Sequence, residues 1–126
     1  TNLLITGCMG RMGQQIIMSV KKNKNFKLVA LTESRKINKK INKIKVDLNT
    51  EEVFKKAHLI IDFTIPKCTF QVLKIASKLK KRVVIGTTGF TQKEENLIKK
   101  FSKKCFVLNT KKSKQIMLFC AHFSLE

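Results

Sequence analysis

The chain has 126 residues, 43% of them hydrophobic, which is one domain's length with enough apolar content for a buried core. No apolar run approaches the roughly 20 residues a membrane-spanning helix needs, and nothing reads as a secretory leader. With 27 Lys+Arg against 8 Asp+Glu, the formal net charge of +19 raises one function class at once, a basic module for nucleic acid or another anionic surface.

Two features weigh against that class. Only Arg11, Arg35 and Arg82 are arginines, whereas base readout and bidentate phosphate contacts favour Arg. The lysines are scattered over nearly every polar face, and Lys, Asn and Ile are abundant together, a pattern of coding composition. No specific nucleic-acid partner and no membrane partner are expected, and the chain is placed in the cytoplasm. Cys8, Cys68, Cys105 and Cys120 show no C-x-x-C spacing, so they read as small buried thiols, with no metal site expected.

In chain order, Leu3–Thr6 is the first expected strand. It runs into Gly7-Cys8-Met9-Gly10-Arg11-Met12-Gly13, and Arg11–Lys22 is the first helix, with Met12, Ile16, Ile17 and Val20 on one face. Three glycines at this spacing, after a strand and opening a helix, bind a dinucleotide pyrophosphate. The first allows the tight turn, the second lets backbone approach phosphate, and the third lets helix and strand pack closely. The same spacing also serves as a plain turn.

Lys27–Thr32 is the second strand, and Glu33 follows it, twenty residues after Gly13. An acidic group there accepts hydrogen bonds from the adenosine ribose hydroxyls. It is otherwise an ordinary solvated glutamate. Ser34–Leu48 is lysine-rich and reads as a surface loop with some local structure. Thr50-Glu51-Glu52 reads as a helix start.

The apolar run in His58–Phe63 reads as a parallel strand buried on both faces. It ends in Asp62-Phe63-Thr64-Ile65-Pro66, where Pro66 suits the first turn of a helix and a helix cap is the plain structural alternative for Asp62. Val83-Val84-Ile85 is the next buried strand and delivers Gly86-Thr87-Thr88-Gly89-Phe90, a backbone-rich loop able to lie against a nicotinamide ribose or amide. Thr91-Gln92-Lys93-Glu94 is a capping box. Two strand-like runs follow, Cys105–Leu108 and Ile116–Ala121, separated by the turn Lys111–Lys114. Strands alternating with helices imply an α/β fold, a doubly wound, mostly parallel sheet with helices on both faces.

Together, Gly7–Gly13 with Arg11-Met12, Asp62-Phe63-Thr64, Gly86-Thr87-Thr88-Gly89-Phe90 and Cys120-Ala121-His122-Phe123-Ser124 resemble dihydrodipicolinate reductases. The resemblance runs from Leu3 to Ser124 and implies a Rossmann-like domain for NADH or NADPH, covering residues 1–126. It implies that Gly7, Cys8, Met9, Gly10, Arg11, Met12 and Gly13 cradle the pyrophosphate, with Glu33 and Ser34 at the adenosine ribose. Gly86, Thr87 and Thr88 fall towards the nicotinamide, Phe63 and Thr64 count among the cofactor-binding residues, and Ala121, His122, Phe123 and Ser124 line the cofactor near a hinge.

Ser34 stands where NADPH-favouring members often carry Arg, so the choice of cofactor stays open. His122 stands where Asn is usual, either as a polar substitute or as an acid. The family's proton donor and substrate groups belong to a second, C-terminal domain, so no catalytic residue is expected in this chain. The intact enzyme, by resemblance a homotetramer, would transfer hydride to a dihydrodipicolinate-type small molecule in lysine and diaminopimelate biosynthesis. The alternatives are another nicotinamide-dependent reductase domain and the basic binding module raised above.

Overall fold

A computed structural model describes residues 1–109. In chain order the elements are β1 (Asn2–Thr6), α1 (Arg11–Lys21), β2 (Lys27–Glu33), β3 (Lys40–Ile41), β4 (Ile44–Leu48), α2 (Glu51–Phe54), β5 (Leu59–Asp62), α3 (Pro66–Lys78), β6 (Arg82–Ile85), α4 (Gln92–Phe101) and β7 (Val107–Asn109). The strands form one sheet in the order β3-β4-β2-β1-β5-β6-β7. Every pairing is parallel except that of β3 with β4. This is the doubly wound, Rossmann-like sheet that the alternating pattern predicts. The chain winds from β1 through β2 to one edge, then crosses to β5 and winds to the other. A crevice opens beyond the strand ends at such a reversal.

Local sequence explains the layers. β5 is LIID and β6 is RVVI, near-continuous apolar runs of the kind needed by strands covered on both faces. Successive side chains of β1 point to opposite faces. Leu3 and Ile5 join Ile16, Ile17 and Val20 of α1, while Leu4 joins Phe54 of α2, Val72 and Leu73 of α3 and Ile98 of α4. Pro66 occupies the first turn of α3, where no N–H is needed. The capping box of α4 forms: Glu94 N–H donates to Thr91 Oγ1 at 3.2 Å and Thr91 N–H to Glu94 Oε1 at 2.9 Å.

One expectation is corrected. Residues 34–48 are not merely a surface loop, because β3 and β4 form a hairpin and β4 joins the main sheet beside β2. Its register sets Leu31 opposite Val46 and Glu33 opposite Leu48. Asn42 and Lys43, with φ of 52° and 67°, make the two-residue turn. The driving pattern is Ile44-Lys45-Val46-Asp47-Leu48, an alternation in which Val46 is buried and Ile44 packs on the core. The exposed lysines at 36, 39, 40, 43 and 45 mask that alternation in the sequence. The last described strand also begins later than expected, at Val107 instead of Cys105. The expected turn Lys111–Lys114 and strand Ile116–Ala121 lie outside the described residues. Among the described residues, no helix is long and apolar enough to cross a membrane.

Thr32 on β2 is fully buried and, among the described residues, its hydroxyl has no hydrogen-bond partner. An isosteric Thr32→Val should therefore raise stability by about 1 kcal/mol, since a buried polar group without a partner is relieved. Urea unfolding of the two proteins checks this; a lower midpoint for the valine variant would mean that the hydroxyl is engaged.

Candidate functional site

The glycine loop is built from three glycines under three different constraints. Gly7 has φ +72°, and a Cβ there would overlap the carbonyl oxygen of Phe63, so β1 and β5 close on each other at their carboxyl ends. The Gly7 N–H donates to the Thr32 carbonyl at 3.0 Å and the Phe63 N–H to the Thr6 carbonyl at 3.2 Å. A Cβ at Gly13 would overlap the Gly7 carbonyl oxygen and stand 2.9 Å from the Cys8 Cα, so the first turn of α1 rests directly on the loop. Gly10 is different. It is exposed, with φ −75° and ψ 167°, and its Cβ would meet only the Gly7 carbonyl oxygen, at 3.4 Å. The fold needs glycine at 7 and 13; at 10 it only keeps the outer side of the helix start bare.

That helix start carries no side-chain cap and no acidic residue in its first turn, whereas α2 and α4 each have a threonine cap and two glutamates. The first α1 bond runs from Gln14 N–H to the Gly10 carbonyl at 3.0 Å. The N–H groups of residues 11–13 thus precede the helical ladder, at the positive end of the dipole. Arg11, exposed, adds a cation beside them. A bare helix start behind an open glycine is a cradle for a phosphate group.

Cys8 contributes backbone only. Its side chain is buried, and its pKa is raised to about 11, chiefly by burial and next by the Glu33 carboxylate. The thiol therefore stays protonated at neutral pH. Met9 and Met12 are half-buried. The Met9 N–H donates to Glu33 Oε1 at 3.1 Å, which ties the glycine loop to the end of β2. Among the described residues no hydrogen bond engages Glu33 Oε2, so this half-buried carboxylate keeps an acceptor. Ser34 beside it is exposed.

The ends of β5 and β6 meet on one buried carboxylate. Asp62 Oδ1 accepts the hydroxyls of Thr6 at 2.5 Å and Thr64 at 2.8 Å; its Oδ2 accepts those of Thr69 at 2.5 Å and Thr87 at 3.1 Å. Asp62 is fully buried. The reading of Asp62 as a helix cap is corrected, because the N-cap of α3 is Ile65 and has no side-chain bond. Asp62 still belongs to β5, and its lone pairs are taken up by four hydroxyls. No spacing rule signals this cluster, since its donors come from β1, the loop after β5, α3 and the loop after β6.

Phe63 packs on the core that faces α1, and Thr64 is half-buried. Thr87 is 3% exposed, and besides donating to Asp62 its hydroxyl accepts the Thr64 N–H at 2.9 Å. Gly86 N–H donates to the Asp62 carbonyl at 2.8 Å. Thr88 and Gly89 are exposed, Gly89 with φ +87°, and the Phe90 ring meets Phe70 edge-on at 6.0 Å.

The structure therefore gathers residues 7–13, Glu33, Ser34, Phe63, Thr64, Gly86, Thr87 and Thr88 at the carboxyl edge of the sheet, with the side chains of Cys8 and Thr87 turned inward. Ala121, His122, Phe123 and Ser124 lie outside the described residues. Among the described residues, no three His, Cys, Asp or Glu side chains gather as metal ligands.

Residues 1–112 match a family model described as dihydrodipicolinate reductase, N-terminus. The 4-hydroxy-tetrahydrodipicolinate reductase of Pelagibacter ubique is 72% identical over 102 residues, 81% of this chain and 40% of that protein. The enzyme of the same name from Buchnera aphidicola subsp. Baizongia pistaciae is 36% identical over 120 residues, covering 86% and 44%. Among solved structures, a dipicolinate-bound dihydrodipicolinate reductase from Paenisporosarcina sp. TG-14 superposes with TM-score 0.69 at 27% identity, over 84% of this chain and 46% of that one. A homoserine dehydrogenase from S. aureus shares the fold, with TM-score 0.69 at 13% identity. The chain spans less than half the length of these reductases.

Proposed function

Because the chain belongs to the dihydrodipicolinate reductase family, matching its N-terminal part, we propose that it holds NADH or NADPH for reduction of a dihydrodipicolinate-type substrate in lysine and diaminopimelate biosynthesis. The observation that carries this reading is the bare N-terminus of α1 behind an exposed Gly10, with Glu33 bonded to the same loop. The N–H groups of residues 11–13 and Arg11 neutralise a pyrophosphate. Glu33 Oε2 accepts the ribose hydroxyls of the adenosine half. Phe63, Thr64, Gly86 and Thr88 border the nicotinamide half; by resemblance Ala121, His122, Phe123 and Ser124, outside the described residues, line the cofactor near a hinge. The reduced nicotinamide supplies the hydride; the chain supplies position and charge.

Hydride addition to an imine-type carbon leaves a nitrogen that must gain a proton, so a positioned acid is required. We assign that acid and the substrate contacts to a second domain. The share of the relatives that this chain spans supports this. The tetrameric assembly and a cytoplasmic site of action belong to the same proposal. The 126-residue chain should then bind cofactor but leave NAD(P)H absorbance unchanged when given substrate.

Calorimetric titration of the chain with NADH and NADPH tests the reading. Binding of at least one is expected, and a folded chain that binds neither would overturn it. Glu33→Ala should weaken NADH binding by about 1.5–3 kcal/mol, the scale of a hydrogen bond to a charged group. NADPH should lose less, because its 2′-phosphate opposes the carboxylate. Equal losses, or none, would remove Glu33 from the ribose site.

A further inference from the structure

The Gly86–Phe90 loop has a feature that cofactor contact alone does not explain. The side chain of Thr87, in the middle of the loop, faces the protein interior. Its hydroxyl donates to Asp62 Oδ2 at 3.1 Å and accepts the Thr64 N–H at 2.9 Å. One oxygen atom thus joins the loop after β6 to the backbone after β5 and to a buried carboxylate at the carboxyl end of β5. Gly86 N–H adds a second tie to the Asp62 carbonyl at 2.8 Å. Asp62 also holds Thr6, the residue before Gly7, and Thr69 on α3. Thr88 and Gly89, which follow Thr87, are exposed.

We propose that Thr87 and Asp62 are positioning residues that latch the Gly86–Phe90 loop against Thr64 and so set the nicotinamide half of the site, leaving the adenosine half to the glycine loop and Glu33. This rests on the dinucleotide reading above. Thr87 touches no ligand in this scheme; it acts through the backbone at Thr64 and Thr88. One chemical requirement follows. The residue at 87 must carry a hydroxyl, because that one group both donates to a carboxylate and accepts from an amide. The γ-methyl is not required. Thr87→Val keeps the volume and loses both bonds, leaving the Thr64 N–H without its acceptor. Thr87→Ser keeps both bonds and loses the methyl.

The test compares NADH with ADP-ribose, which has the adenosine half and the pyrophosphate but no nicotinamide. Both are titrated into the full 126-residue chain and into the Thr87→Val and Thr87→Ser variants. Thr87→Val should lower NADH affinity about tenfold or more while ADP-ribose affinity stays within about twofold, and Thr87→Ser should restore the NADH value. Parallel losses of both ligands, an unchanged NADH affinity, or a serine variant as weak as valine would overturn the latch. The unsubstituted chain gives a second measurement that does not depend on the variants folding. Amide exchange at Thr88 and Gly89 should slow with NADH and not with ADP-ribose; equal slowing by both would overturn the latch. If the unsubstituted chain binds none of NADH, NADPH and ADP-ribose, the dinucleotide reading itself fails, an outcome distinct from failure of the latch.

Discussion

Alanine at Gly13 is expected to destabilise the chain by about 3–5 kcal/mol, while valine at Gly10 should leave it folded and cost most of its dinucleotide affinity. The two glycines sit three residues apart and have opposite surroundings. A Cβ at 13 is driven into the Gly7 carbonyl and the Cys8 backbone, neither of which can move without separating α1 from β1. The cost is a large part of the roughly 5–15 kcal/mol that holds a domain together. At Gly10 the backbone is already in the region any residue adopts, and the Cβ position is open. The folding cost is only that of a poorer N-cap, about 1 kcal/mol. The branched side chain then stands over the α1 N-terminus, where phosphate must approach, and an affinity loss of about tenfold or more is expected. Urea unfolding and calorimetric titration of both variants separate the effects. A valine variant that binds NADH as tightly as the unsubstituted chain would move the pyrophosphate elsewhere.

Asp62→Ala should cost about 3–5 kcal/mol as well, although no salt bridge is broken. Four hydroxyls lose their shared acceptor in a fully buried setting, and a cavity replaces the carboxylate. Asp62→Asn should cost less, since one oxygen remains and the hydroxyls can turn to meet the new amide. Denaturant midpoints give the order: alanine below asparagine, and both below the unsubstituted chain. An alanine variant of full stability would mean that water or rotated hydroxyls replace the network at no cost.

The glycine loop, the strand and helix order and the Thr91 capping box were legible because each is local: a spacing, a period or a pair three residues apart. The hairpin within residues 34–48 is not legible because its apolar residues alternate with exposed lysines. Composition concealed a period-two pattern carried by Ile44, Val46 and Leu48. The Asp62 cluster was illegible for a different reason. Thr6, Thr64, Thr69 and Thr87 become neighbours only when parallel pairing brings the ends of β1, β5 and β6 to one level. The sequence marks Thr87 only as a member of a glycine-bounded loop; no spacing rule shows that its hydroxyl faces inward to Asp62.

The position of β1 has a consequence for how the chain reaches this state. Leu3 pairs with Leu28 on one side and Leu59 on the other. During synthesis the strand at the centre of the sheet emerges first and waits longest for its second neighbour. A β1–α1–β2 unit can assemble as soon as Glu33 is clear, leaving the apolar β1 edge meant for β5 exposed until α2 has passed. Parallel partners this distant in sequence close slowly, and an open strand edge invites pairing with another copy. The lysines crowded between Lys36 and Lys56 emerge during that interval, and their mutual repulsion between nascent chains opposes such contacts before the sheet is complete.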